Sequence, residues 1–155
     1  RSCLFSFRPT GLKKFPAIDV KTLDGQTINS KEIHQNNGKL TIIGIWATWC
    51  KPCFLELQTY HENYPKWREE MGVKIALVSV DEPRLKEKIK ALVQKKGWEF
   101  EMYIDDKKEL KQALKIINIP GTYLVNDAGD ILYQHSSYSK GDENKLYKQI
   151  KKLSK

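Results

Sequence analysis

The feature that most constrains this chain is an almost unbroken apolar run over residues 39–47, which leads directly into a pair of cysteines. A run without polar alternation is typical of a strand that is buried on both faces of its sheet. Such a sheet needs a layer of helices on each side to cover it. The run therefore predicts a central strand of an α/β fold, with the two cysteines at its carboxyl end.

Strand and helix patterns alternate along the rest of the chain. Besides the first run, we predict strands over residues 73–80, 98–104, 121–125 and 131–134. Helices are predicted to begin at or just before the second cysteine and at Asp81, Asp105 and Asp142. Connections through helices require parallel pairing, whereas the last two strands form an antiparallel hairpin. These patterns predict a three-layer α/β/α sandwich with a mixed central sheet.

Two of these helices carry more specific expectations. The helix after the cysteines should stop at Gly72, with Pro65 opening either its continuation or a second helix. The helix after Asp105 should bury Leu110, Leu114 and Ile117, which recur at the spacing i, i+4, i+7.

The N-terminal part of the chain carries turn signals. Asp24-Gly25 stands between two short strand patterns and predicts a two-residue hairpin, and Asn36-Asn37-Gly38 predicts a turn. No linker divides the 155 residues, a length that suits one domain. We expect a single domain over residues 1–155, with an extended N-terminal segment over 1–14.

The charge balance is basic, with 27 Lys and Arg against 19 Asp and Glu and a formal net charge of +8. The basic residues are mostly lysines on two predicted helices, without interleaved aromatic residues and without a zinc-finger or RNP-like pattern. We interpret them as solvated helix faces and expect no nucleic-acid partner. No apolar run reaches the ~18 residues of a membrane helix, and the N-terminus has no apolar segment of signal-peptide length.

The motif Trp49-Cys50-Lys51-Pro52-Cys53 stands where the buried strand is predicted to turn into a helix. Free backbone N–H groups and the helix dipole favour thiolate over thiol at such a position. Lys51 adds positive charge, and Pro52 suits the first helical turn, where its missing N–H costs nothing. We expect an exposed Cys50 that attacks a partner disulfide and a buried Cys53 that resolves the mixed disulfide.

Two structural interpretations compete with a redox pair: half of a zinc site, and two inert core cysteines. Zinc would need a second Cys or His pair at a suitable spacing, whereas Cys3 is remote and the histidines stand singly. We therefore favour the redox pair, with no metal and no bound cofactor, and interpret Cys3 as an unpaired thiol. We interpret the histidines as ordinary surface or packing residues: His34, His61 and His135.

A second feature supports redox chemistry when it is taken together with the cysteine motif: Ile119-Pro120 directly precedes a predicted strand. Taken alone, this proline would indicate a trans residue that opens a strand, because only about 5–6% of X–Pro bonds are cis in folded proteins.

Together these features resemble a known family. Residues Trp46-Ala47-Thr48-Trp49-Cys50-Lys51-Pro52-Cys53, followed by Ile119-Pro120, resemble the thioredoxin superfamily, and most of all its TlpA/ResA-like branch of bacterial thiol–disulfide oxidoreductases. The resemblance covers about residues 15–153 and implies a thioredoxin-like sandwich with an extra βα unit and an N-terminal hairpin extension. It also implies that Pro120 is cis and lies against the cysteine pair, and that the backbone of Ile119 pairs with the substrate chain.

Two acid positions refine the resemblance. Thioredoxins proper carry a buried Asp six residues before the first cysteine, where this chain has Gly44. ResA-like proteins carry a Glu three residues after the second cysteine, and Glu56 stands there. The resemblance implies that Glu56 takes or returns the proton of the resolving thiol, whereas the residues alone leave open a solvated early-helix acid favoured by the dipole. Gln58 replaces a proline common in relatives, which suggests a less kinked helix, and Gly121 replaces the threonine common after the cis-proline.

The candidate site divides into two sets. The catalytic candidates are Cys50, Cys53, Glu56 and Pro120. The substrate-binding candidates are Trp49, Lys51, Pro52, Ile119 and Gly121. We expect Trp49 to pack beside Cys50 and shield one side of the pair, and Trp46 to lie in the core.

These residues predict a thiol–disulfide oxidoreductase that acts on protein disulfides, most of all as a reductase. The resemblance implies an extracytoplasmic location, a dithiol electron donor that is often membrane-embedded, and roles in cytochrome c maturation or general thiol reduction. We expect a monomer. A disulfide oxidase or isomerase shares the motif and differs in reduction potential.

Two other functions would use the same cysteine. A Cu(I) metallochaperone could bind through the CxxC pair, although this spacing and Pro52 count against it. A thiol peroxidase would need Thr and Arg beside its cysteine; Thr48 is present, but no Arg lies within ten residues of Cys50.

Overall fold

The computed structural model describes residues 13–35 and 39–154, and seven strands of this part form one sheet. The strands are β1 (Asp19–Thr22), β2 (Thr27–Asn29), β3 (Thr41–Trp46), β4 (Lys74–Ser79), β5 (Glu101–Ile104), β6 (Gly121–Val125) and β7 (Ile131–Ser136). The α-helices are α1 (Lys31–His34), α2 (Lys51–Met71), α3 (Lys86–Lys96), α4 (Glu109–Ala113) and α5 (Asp142–Leu153), and a 3₁₀ turn over Pro83–Leu85 precedes α3. The strand order is β2-β1-β5-β4-β3-β6-β7.

Strand β3 lies inside this sheet, as the apolar run predicts. It pairs with β4 in parallel and with β6 in antiparallel fashion, and all six of its residues are buried. Strand β5 continues the parallel part, and β7 pairs antiparallel with β6. The predicted mixed α/β architecture is confirmed. The strand predicted from residue 98 is shorter at its start, since β5 covers only Glu101–Ile104.

The prediction of parallel pairing after every helix is wrong for β6, which runs antiparallel to β3 and places Gly121 opposite Ile45. Helix α4 has only five residues, a rise of about 7.5 Å. That is too short to return the chain along a six-residue strand, which spans about 20 Å. The chain therefore enters β6 at the sheet edge where β3 ends, beside the cysteine motif.

The early end of α4 also explains why one predicted core residue is wrong. Leu110 and Leu114 are fully buried, but Ile117 is 89% exposed. Lys115 adopts a left-handed conformation with φ 57°, so Ile117 lies beyond the helix that would have turned it inward.

The cysteine-bearing helix α2 is continuous from Lys51 to Met71, through both Gln58 and Pro65. It ends at Gly72, whose φ of 65° suits glycine, as the sequence predicts. Aromatic side chains fill the core beside its first turns: Phe54 and Trp98 each lie about 6 Å from Trp46, at 6.1 and 5.8 Å between ring centroids. Trp46 is only 1% exposed, in agreement with its predicted core position.

The predicted N-terminal hairpin forms between β1 and β2 and adds to the sheet through β1–β5 pairing. Its loop has three residues rather than two, because Thr22 N–H donates to the Gln26 carbonyl at 2.8 Å and Gly25 takes a φ of 90°. Of the segment predicted over 1–14, residues 13–14 run beside β7, where Ile131 N–H donates to the Lys13 carbonyl at 2.8 Å. Cys3 and the turn predicted at 36–38 lie outside the described residues.

Within residues 13–35 and 39–154, no helix is both long and apolar enough to cross a membrane.

Candidate active site

The cysteine pair forms a disulfide at the N-terminus of α2. Cys50 is the N-cap residue, and its Sγ accepts a hydrogen bond from the backbone N–H of Cys53 at 3.2 Å. Cys53 is fully buried, as predicted, but the predicted exposure of Cys50 is wrong, because this residue is only 5% exposed. The sulfur of Cys50 lies between the first turn of α2 and the backbone of another loop, so little of it reaches solvent.

That second loop carries Ile119-Pro120, and its peptide bond is cis, as the resemblance implies. The carbonyl oxygen of Ile119 lies 3.9 Å from Cys50 Sγ. The carbonyl of Pro120 accepts the backbone N–H of Ser137 at 2.8 Å. The loop is thus fixed on one side by the end of β7, while Ile119 stands beside the disulfide and is half-buried.

Gly121 lies inside the sheet between Ile45 of β3 and Ser136 of β7 and is buried. A Cβ at this position would lie 3.3 Å from Ile116 Cδ1 and 3.5 Å from the Tyr123 ring. A side chain at this position would therefore press on Ile116.

Several side chains that stand near the cysteine motif or near Ile119-Pro120 in the chain are exposed. Among the described residues, the large hydrophobic side chains that are clearly exposed are Trp49 at 67%, Leu55 at 55% and Ile117 at 89%. Lys51 and Pro52 are exposed too. Trp49 is therefore mostly exposed to solvent, and its packing beside Cys50 stays a prediction.

A buried carboxylate holds the loop that leads into the motif. Asp81 is fully buried at the end of β4 and accepts hydrogen bonds from Thr48 N at 2.9 Å, Thr48 Oγ1 at 2.7 Å and Ser79 Oγ at 2.5 Å. The helix start predicted at Asp81-Glu82-Pro83 is confirmed as a 3₁₀ turn over Pro83–Leu85 that continues directly into α3. Thr48 gives its hydroxyl proton to Asp81, so it does not point a donor at Cys50.

Glu56 is the other buried acid of the site, and only 1% of it is exposed. The alternative of a solvated early-helix acid is therefore wrong. Its Oε1 accepts the hydroxyl of Thr122 at 3.0 Å, and its Oε2 lies 3.0 Å from Nε2 of His135. The interpretation of His135 as an ordinary packing residue is also wrong, since it contacts a buried carboxylate.

Tyr60, one turn further along α2, completes this network. Burial, and then the neighbouring Glu56 charge, raise the pKa of Tyr60 well above its usual value, so its hydroxyl keeps its proton. Its hydroxyl lies 3.0 Å from Thr122 Oγ1. Because Thr122 donates its own proton to Glu56, Tyr60 is the donor in this contact.

The register of the sheet explains why these residues meet. Gly44 of β3, Thr122 of β6 and His135 of β7 stand opposite one another, and opposed residues in antiparallel pairs point to the same face. A Cβ on Gly44 would lie 2.9 Å from Leu77 Cδ2, so Leu77 fills the space where a sheet acid would sit. The acid here comes from α2 instead. No sequence spacing joins Glu56 to His135, and only the pairing of β6 with β7 could have revealed their contact.

The remaining histidines lie elsewhere. His34 is 4% exposed and packs edge-on against Phe15, with ring centroids 6.3 Å apart. Burial lowers the pKa of His34. His61 lies on α2. In the part of the chain that the structure describes, no three His, Cys, Asp or Glu side chains are grouped as metal ligands.

The model of the AhpC/TSA family matches residues 12–134. The chain belongs to the AhpC/TSA family. Thiol-disulfide oxidoreductase ResA of Bacillus thuringiensis subsp. konkukian is 30% identical over 143 residues, which cover 91% of this chain and 77% of that relative. A ResA of Geobacillus kaustophilus is 32% identical over 94 residues, 61% of this chain and 52% of the relative.

Two solved structures have a similar fold. A thioredoxin-like protein from Porphyromonas gingivalis has a TM-score of 0.80 at 36% identity, over 90% of this chain and 91% of that one. A DsbE-type thiol:disulfide interchange protein from Chlorobium tepidum has a TM-score of 0.77 at 19% identity, over 92% and 96%, and shares the fold. This AhpC/TSA family member is a thiol–disulfide oxidoreductase with a thioredoxin-like fold and a Cys50–Cys53 pair.

Proposed function

We propose that this oxidoreductase reduces protein disulfides, with Cys50 as the attacking and Cys53 as the resolving cysteine. The observation that carries the proposal is the asymmetry of the pair at the N-terminus of α2. Cys50 Sγ accepts the Cys53 N–H and borders the Ile119 carbonyl, whereas Cys53 is fully buried. A helix N-terminus favours a thiolate at Cys50, and burial leaves Cys53 reachable only from within the protein.

The proposed reaction starts from the dithiol. The Cys50 thiolate attacks one sulfur of the substrate disulfide, and the other substrate sulfur leaves as a thiolate. Cys53 then loses its proton to Glu56 and attacks Cys50 Sγ, which releases the second substrate thiolate and forms the Cys50–Cys53 disulfide. Two electrons pass to the substrate, and a dithiol donor restores the reduced pair.

We propose that the substrate is an extended segment of a protein that pairs with the backbone of Ile119 beside cis-Pro120. The side chains of Trp49, Lys51 and Pro52, which flank Cys50 in the chain, are exposed and would contact the segment. Gly121 would contribute indirectly, because its lack of a side chain leaves room for Ile116 beneath the loop.

We place this reaction outside the cytoplasm, in a monomer that receives electrons from another dithiol protein, with a membrane-embedded donor as the family's frequent case. The ResA names of the relatives support this proposal. The substrate class we propose is exported proteins with disulfides to be reduced, including the haem-binding cysteines of apocytochromes.

The reduction potential of the pair tests the direction of the reaction. We would equilibrate a Cys3→Ser variant with defined dithiol–disulfide buffers and follow tryptophan fluorescence and thiol alkylation. A value near or below about −250 mV fits a reductase, whereas about −120 to −180 mV would indicate an oxidase or isomerase. A Cys53→Ser variant should accumulate a mixed disulfide on Cys50; failure of the pair to cycle at all would refute the catalytic proposal.

A further inference from the structure

The contact between Glu56 and His135 gives the buried acid an ionisable partner. Glu56 Oε2 lies 3.0 Å from His135 Nε2, and Oε1 accepts the hydroxyl of Thr122. The side chain of His135 is 16% exposed and that of Glu56 2%. The imidazole thus stands between a fully buried carboxylate and the protein surface.

The other ring nitrogen of His135, Nδ1, is buried and makes no hydrogen bond to any described residue. The hydrogen bond made by one ring nitrogen normally decides which nitrogen carries the proton. Because Nδ1 makes no hydrogen bond, the protonation state of Glu56 determines which nitrogen of the neutral ring carries its proton. A Glu56 carboxylate favours the ring proton on Nε2, and a Glu56 carboxylic acid favours it on Nδ1. The ring can therefore exchange a proton with Glu56 without breaking a second contact.

The surroundings of the pair contain other titratable groups. Tyr60 of α2 reaches Glu56 through Thr122, and the Tyr133 ring of β7 lies edge-on to His135 with centroids 5.7 Å apart. Tyr138, whose pKa is raised to about 12 by burial and by its hydrogen bond to Glu143, also feels the Glu56 charge. Asp142 of α5 acts on Tyr133. The raised pKa values of Tyr60, Tyr133 and Tyr138 keep these phenols protonated near neutral pH. Helix α5 adds the acids Asp142 and Glu143 and also Lys145, which lies 3.9 Å from Asp142.

We propose that His135 is the positioning residue of Glu56 and carries the proton that Glu56 takes from Cys53. The Cys53 thiol gives its proton to the Glu56 carboxylate. The neutral imidazole, in the tautomer with its own proton on Nδ1, then accepts that proton on Nε2, which leaves a carboxylate beside an imidazolium. The imidazolium keeps the proton and returns it through Glu56 to Cys53 when the dithiol donor reduces the Cys50–Cys53 disulfide. No electrons move in these steps, and Glu56 is again a base. The proposal rests on the role proposed above for Glu56.

The resolving step can be isolated with oxidised glutathione as the probe. At saturating glutathione disulfide, the rate of Cys50–Cys53 disulfide formation in a Cys3→Ser background no longer depends on its concentration and reports the attack by Cys53. Stopped-flow tryptophan fluorescence would measure this rate from pH 5 to 9 for Glu56→Gln, His135→Gln and the double variant. His61→Gln is the matched control, because His61 lies about 140° around α2 from Glu56.

We expect His135→Gln to lower the plateau rate at pH 7 about tenfold, less than the ~100-fold contributed by a proton-transfer group itself. Its pH profile should lose a titration that the parent and His61→Gln share. The plateau rate of Glu56→Gln should be no higher than that of His135→Gln. The plateau rate of the double variant should equal that of Glu56→Gln, because the two residues act as one unit.

The other outcomes separate the two proposals. If His135→Gln matches His61→Gln at every pH while Glu56→Gln is slow, the role of His135 is refuted and that of Glu56 stands. If Glu56→Gln keeps the parental rate, the role of Glu56 falls and this inference falls with it. Multiplicative losses in the double variant would refute a shared proton path.

A measurement without a His135 variant guards against misfolding. Nitrogen-15 NMR of the imidazole at pH 7 reports which ring nitrogen is protonated. We expect the tautomer pattern of His135 to change in Glu56→Gln while that of His61 does not. An unchanged pattern would refute the exchange of a proton across this contact.

Discussion

Removing the carboxylate of Asp81 should loosen the loop that delivers Cys50 to the helix. In Asp81→Ala, the backbone N–H of Thr48 and the hydroxyls of Thr48 and Ser79 lose their acceptor. Hydrogen bonds to a charged group contribute about 1.5–3 kcal/mol each, and a buried N–H left unsatisfied costs about 1–3 kcal/mol. Removing the buried charge also removes its desolvation penalty, which offsets part of this loss of stability. We therefore expect a net loss of about 2–4 kcal/mol in the free energy of unfolding.

Asp81→Asn separates geometry from charge. Its amide oxygen can still accept the Thr48 N–H and the Ser79 hydroxyl, while the amide nitrogen donates to Thr48 Oγ1, so we expect a loss of about 1 kcal/mol. Urea unfolding of the oxidised protein, followed by tryptophan fluorescence, measures both losses. Glu82→Ala is the control, since this neighbouring acid is exposed and should change stability by less than about 0.5 kcal/mol. An Asp81→Ala protein as stable as Glu82→Ala would refute the reasoning.

Three other changes test separate parts of the molecule. Trp46→Ala should lower the free energy of unfolding by about 3–5 kcal/mol and Trp49→Ala by less than about 0.5 kcal/mol, because Trp46 is buried and Trp49 is exposed. Trp49→Ala should instead slow the reduction of a protein disulfide. Equal losses of stability on urea unfolding would contradict this reasoning. Gly121→Thr should cost about 1–3 kcal/mol by overpacking against Ile116, and adding Ile116→Ala should recover part of that loss in a double-mutant cycle. Because burial lowers the pKa of His34 below 6.5, the unfolded chain binds a proton that the folded one refuses, so stability should be lost as pH falls below about 6.5; His34→Gln should flatten that slope in unfolding measured from pH 7 to 5, and an unchanged slope would contradict it.

The parts of the site that are local in sequence could be predicted. Cys50 and Cys53 sit three residues apart at a strand–helix junction, and local chemistry is enough to indicate the pair. The cis state of Pro120 came from the family resemblance, since X–Pro statistics alone favour trans.

The parts that depend on tertiary pairing could not be predicted. His135 meets Glu56 because β7 pairs with β6 in one register, and Asp81 meets Thr48 because β3 and β4 end side by side. Single histidines and aspartates carry no sign of such partners in the sequence. The direction of β6 depended on the length of α4, and the apolar spacing of Leu110, Leu114 and Ile117 overstated that length.

The network beneath the disulfide has a consequence for how the chain acquires its structure during synthesis. Glu56 is joined to Thr122 and His135 across 66 and 79 residues of sequence. Contacts so distant in sequence form slowly, because the entropy of closing a long loop opposes them. On a ribosome, α2 emerges well before either partner, so its acid stays hydrated until the last hairpin arrives. A chain that stops before β7 lacks the imidazole that contacts this carboxylate, so we expect the network around Glu56 to form only after the C-terminal hairpin has been made.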